Sequence, residues 1–107
     1  MGPKPKIAIL HAKQVRELTS SYYKKCLENA ANICREETAE MIQKAYTNGR
    51  YSTEIKVNSD DPLTIRAWSK VGAELAELNY QHTYNWEADR RPMYLISVEV
   101  RWDGGDW

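Results

Sequence analysis

Few residues in this chain are of a kind that does covalent chemistry, and their spacing limits what they can do. The histidines are His11 and His82. His82 alternates with Tyr80, Tyr84 and Trp86, which places it on an aromatic strand face as a structural histidine rather than a base. His11 has no carboxylate nearby in the sequence. Cys26 and Cys34 stand eight apart in a stretch of helical pattern. That spacing sets them about 12 Å apart along one side, too far for an intrachain disulfide. Reduced, buried thiols are expected. No CxxC or HxxxH spacing occurs, so no metal site is expected. The neighbouring acids Glu36 and Glu37 do not share a helix face, and Asp60 and Asp61 are explained by capping, so neither pair makes an acid–base dyad. There is no phosphate loop, GxGxxG or nucleophile elbow. Gly104-Gly105 follows the last strand with no helix behind it to bind phosphate. The expectation is a protein without catalytic residues and without a cofactor.

One constellation is suited to a ligand or partner. Arg90 and Arg91 fall in a polar turn over residues 88–92, and Arg101 lies on the strand that follows. Tyr84, Trp86 and Trp102 lie on the adjoining strands, and Trp107 is the last residue. An arginine beside an aromatic ring can hold a phosphate while the ring stacks on a base. These seven are the candidate interaction or anion-contact residues. A solvated turn is the plainer use of the same arginines.

The elements that position them follow from periodicity and punctuation. Residues 1–11 form an arm, because Pro3 and Pro5 forbid regular helix, with the apolar patch 7–10 available to dock it. Residues 12–47 are helical, with apolar or small residues at Val15, Leu18, Tyr22, Cys26, Ala30, Ile33, Met41, Ile42 and Ala45. The polar stretch Arg35-Glu36-Glu37-Thr38 leaves open one long helix or two with a bend. Asn48-Gly49 ends it. Residues 51–57 alternate as a strand. Asp61 and Pro62 cap and start a second helix over 63–78, with Trp68, Val71, Leu75 and Leu78 buried. Lys70 and Glu74 are spaced for a pair along it. Residues 80–87 and 94–102 form an antiparallel hairpin. In the latter strand Tyr94, Ile96, Val98, Val100 and Trp102 share one side, and Leu95, Ser97, Glu99 and Arg101 the other. The fold expected is α+β, a three-stranded antiparallel sheet with both helices on one face. Residues 12–102 make a single domain, and 103–107 a flexible acidic tail.

Composition narrows the function further. The 107 residues carry 15 Lys+Arg and 15 Asp+Glu, so there is no global pull toward nucleic acid or an acidic membrane. Mean hydropathy is −0.70, and no apolar run approaches a membrane span. The charge is uneven, with six cations against Glu17 in residues 1–25. Seven Tyr and four Trp with no Phe favour half-wet positions such as interfaces.

Several short pieces resemble small bacteriophage proteins of helix–strand–helix–strand–strand type. The opening Ala12-Lys13-Gln14-Val15-Arg16-Glu17-Leu18-Thr19 is similar to theirs. So is an Ile-x-x-Ala-x-x-x-Gly turn, here Ile42, Ala45 and Gly49, followed by a short strand. Leu78-Asn79-Tyr80 stands where they have Leu-Gly-Tyr, and Asn can adopt the same left-handed geometry. Their final Ile-Ser-Trp is here spread over Ile96-Ser97-Val98 and Arg101-Trp102. The similarity covers about residues 12–102. It implies a phage-like origin and this fold, no enzyme, and no functional residue that can be carried over.

The function expected is non-enzymatic protein–protein interaction, as a virion component or an inhibitor of a host factor, in the host cytoplasm or the virion. The partner would be another copy of the chain or another viral or host protein. A virion component would use the arm and tail, and an inhibitor the hairpin patch 94–102. The alternative is an oligomer that sequesters a small phosphorylated, nucleotide-like signal through Arg90, Arg91, Trp86 and Tyr84. A nucleic-acid regulator acting through the basic amino end is disfavoured by the acidic tail, and no membrane partner is expected.

Overall fold

No glycine or proline interrupts residues 12–47, and the helix α1 over Ala12–Thr47 is continuous. The computed structural model describes residues 8–103. The arm before residue 8, Gly104-Gly105 and Trp107 lie outside that range. Of the patch meant to dock the arm, Ile9 is 99% exposed and Leu10 48% exposed, so neither docks. The polar stretch at Arg35 does not bend α1, because its groups are satisfied in place. Thr38 is buried and its hydroxyl donates to the Cys34 carbonyl at 2.7 Å, the local bond that lets a threonine sit inside a helix. Arg35 is taken up by a carboxylate of the second helix. Gly49, at φ 71°, ends the helix at a conformation that favours glycine.

The strands are β1 over Ser52–Ser59, β2 over Gln81–Trp86 and β3 over Leu95–Arg101, in the order β1-β3-β2 and antiparallel throughout. The central strand is the one with the strongest apolar content. Val98 lies between Ile55 and Tyr84, and Val100 between Thr53 and His82. These face the helices. Lys56, Glu54, Thr83, Glu99 and Arg101 occupy the opposite, polar face.

The alternation expected along β3 holds for Val98 and Val100 and fails at its start. Leu95 is fully buried and Ile96 is 37% exposed, the reverse of expectation. The cause is a register shift on both sides. Ser97 pairs with Lys56 and Asn85, but Leu95 pairs with Ser59 and Trp86. The spacing therefore differs by one residue from each neighbour, which rotates Leu95 into the core.

The second helix, α2, runs over Pro62–Glu77. The Asp61 carboxylate accepts from the Thr64 backbone N–H at 3.2 Å and from its hydroxyl at 2.8 Å, as its capping position requires. Trp68, Val71 and Leu75 are buried with Ile55, Leu95, Val98 and Val100 in one core. Leu78 does not join them and is 68% exposed, because α2 ends one residue earlier and Asn79 turns the chain at φ 68°. Gly72 is where α2 crosses β2. A Cβ there would overlap the Tyr84 hydroxyl and stand 2.9 Å from His82 Nε2. His82 is thus a packed structural residue beneath α2.

Candidate interaction surfaces

The structure divides the predicted cluster between two ends of the sheet. At the hairpin end, Arg90 lies 4.2 Å from the Tyr94 ring centre. It pairs with Glu87 at 3.0 Å and stands 3.8 Å from Asp60. Its charge is already answered by two acids. Arg91 is exposed and makes no ion pair among the described residues. Trp86 is 37% exposed and lies 6.2 Å from the Tyr84 ring. Tyr84 itself is half-buried and donates its hydroxyl to the Trp68 carbonyl at 2.9 Å, and burial raises its pKa. It holds α2 on the sheet and is not free to take a ligand. Arg101 and Trp102 are at the other end of β3, about 20 Å away for a six-residue strand rise. There Trp102 meets Tyr80 edge-on at 6.1 Å. Arg101 Nε is buried without a hydrogen bond, 3.8 Å from Glu99.

Where the two helices meet, their charges interlock. α1 and α2 run in the same direction, since Tyr23, Glu28 and Arg35 contact Arg66, Lys70 and Glu74 in that order. Arg35 grips Glu74 with two parallel bonds of 2.8 and 2.7 Å, the geometry that suits a guanidinium best. Glu28 bridges Lys70 at 2.6 Å and Arg35 at 2.9 Å. The Lys70 and Arg35 hydrogen bonds hold the Glu28 carboxyl below the usual carboxylate range, and the Arg35 bonds do the same for Glu74. Lys70 and Glu74 do not pair along their own helix as expected, because each finds a partner on α1. Beside this network an open groove of about 550 Å³ runs between Ile42, Leu75, Leu78 and Tyr80.

The least expected surface is the first half of α1. Every residue from 12 to 26 is exposed. Arg66 of α2 reaches Tyr23, and Leu63 near the start of α2 borders one end of a groove that runs along Val15, Leu18, Tyr22, Tyr23 and Cys26. The preceding ten residues, about 15 Å of helix, project past α2. The molecule accordingly measures 77 Å along its longest axis against 31 and 26 Å across. Val15 is 46% exposed, Leu18 47%, Tyr22 64% and Ile33 65%. With Cys26, also exposed, these residues fall within an arc of about 80° on a helical wheel.

That arc is not the face on which α1 packs. The packed residues Leu27, Ala31, Cys34, Thr38 and Ala45 lie about 140° around the helix from it. The two cysteines part accordingly. Cys34 is buried, and burial pushes its thiol up to about 11, so it is inert. Cys26 is exposed, against expectation, because it belongs to the outer arc. The sequence carried the signal in its phase: residues 15, 18, 22, 26 and 33 keep one helical period, and 27, 31, 34, 38 and 45 another. Merged into one stripe, they read as core.

No family model, curated protein or solved structure matches this chain. Its own surfaces therefore carry the functional reading. Among the described residues no helix is long and apolar enough to cross a membrane. Also among the described residues, no group of three or more His, Cys, Asp or Glu could hold a metal ion.

Proposed function

We propose that this chain is a non-enzymatic protein-interaction module of bacteriophage type, acting as a virion component or as an inhibitor of a host factor. The observation that carries this reading is the projecting first half of α1. It exposes Val15, Leu18 and Tyr22 on one side and packs on little of the domain. An unpacked helix of that length is marginal in water, and an apolar row along it gains stability only when a partner covers it. The ladder of exposed side chains is the form in which helical segments present themselves to other proteins. The hairpin arginines support a ligand-sequestering role less, since Arg90 is neutralised by Glu87 and Asp60.

Native mass spectrometry of the chain as purified from producing cells tests the reading. The expected result is a protein–protein complex, of identical or different chains, that is lost in a Leu18→Glu, Tyr22→Glu variant. A bare monomer in both proteins overturns it. A monomer carrying a reproducible extra mass of nucleotide size also overturns it and returns attention to Arg90 and Arg91.

A further inference from the structure

The exposed arc of α1 is complementary to itself. We propose that the chain self-associates by antiparallel pairing of two α1 helices, arc against arc. The inference rests on the interaction reading above and names the partner as a second copy. Val15 and Ile33 are eighteen residues apart, which is five full helical turns, so both stand at the same angle. In an antiparallel pair centred near Lys24, Val15 of one copy meets Ile33 of the other, and Tyr22 meets Cys26. The arrangement closes with two-fold symmetry.

Charge selects this direction. On the wheel Glu36, Glu37 and Glu40 stand on or beside the line of the arc, whereas Lys13, Arg16 and Lys24 fall on the far side of the helix. A parallel pair in register would set each of these glutamates beside its own counterpart, like charge on like. An antiparallel pair centred near Lys24 sets them beside the start of the other copy's α1, the positive end of its dipole, and opposes the two helix dipoles as well. The size is also right. The exposed arc offers on the order of 500 Å² per copy, and a standard interface takes about 800 Å² per partner once its polar rim is counted.

Sedimentation equilibrium of the full chain between about 1 and 200 µM reads the association directly. A reversible monomer–dimer equilibrium is expected, weakened at least about tenfold by Leu18→Glu with an unchanged circular dichroism spectrum at dilute concentration. Direction is read by cross-linking. Val15→Cys and Ile33→Cys variants, each also carrying Cys26→Ser, are mixed and treated with a short bismaleimide. Cross-links between positions 15 and 33 are expected to dominate over those between two copies of position 15. A preference for 15-to-15 links overturns the antiparallel arrangement, and a dimer indifferent to Leu18→Glu overturns the interface. A monomer at every concentration overturns self-pairing. If that monomer still forms an arc-dependent complex with a different protein in the native spectra, the interaction reading survives the loss of this inference. If it forms none, both fall.

Discussion

Residues 27–47 of α1 bury Ala31, Cys34, Thr38 and Ala45, whereas residues 12–26 bury nothing. One unbroken helix thus serves two purposes. The later half lies on α2 and β1, bound by the Arg35, Glu28, Lys70 and Glu74 network. The earlier half leaves that support and presents a second apolar row about 140° away around the axis. A helix can be amphipathic twice, and the two phases separate what the fold needs from what a partner would need.

Substitutions should therefore fall into two classes, and the sharpest contrast is in stability. Trp68→Ala removes the largest side chain between the later half of α1 and the sheet, and is expected to cost about 3–5 kcal/mol by chemical denaturation. Gly72→Ala is expected to cost about 1–3 kcal/mol, because its methyl group meets the Tyr84 hydroxyl and neither α2 nor β2 can retreat freely. Adding Tyr84→Phe should recover part of that loss. A Gly72→Ala protein as stable as the original would contradict the close helix–sheet contact.

A smaller effect is expected from pH. Glu28 and Glu74 titrate below their ordinary value of 4.5 in the folded protein. Groups lowered in this way stabilise the fold above their unfolded pKa and lose that contribution as pH falls through the folded one. The thermal midpoint should hold steady from neutral pH to about 5 and drop below about 4.5. Glu74→Gln should lower the midpoint near pH 7 by a few degrees and flatten the acid limb. Salt should shrink the difference, since these side chains are partly exposed. At the far end of the comparison, Leu18→Ser is expected to change the stability of dilute protein by no more than about 0.5 kcal/mol. A larger loss would place Leu18 in the fold rather than on a partner-facing surface.

Much of this architecture is legible in the sequence. The bounds of α1, the Asp61 cap, the left-handed Asn79 and the hairpin each follow from local chemistry, and local chemistry is what periodicity and punctuation report. One feature lay unread in the phase of α1, and two depended on distant pairing. Ile33 and Cys34 are adjacent in sequence, yet one is exposed and the other buried, because they belong to two different phases of the same helix. The register shift that turns Leu95 inward and Ile96 outward needs knowledge of both neighbouring strands. Lys70 and Glu74 looked like partners until Glu28 and Arg35 came within reach. The candidate site followed the same pattern. Aromatic and cationic residues of the hairpin stand out by type, but Arg90 is already answered locally. The apolar row of α1 looks like ordinary core until the second row is seen.

The most direct test of the account is residue-resolved amide hydrogen exchange along α1 in dilute protein and again under conditions of association. Residues 12–26 should exchange within the time of a fraying helix, while residues 27–47 are protected to nearly the global stability. Protection of 12–26 should then rise on association, with little change in 27–47. Equal protection of both halves in dilute protein, unchanged by concentration or partner, would show that the first half is as integral to the domain as the second, and would contradict the account.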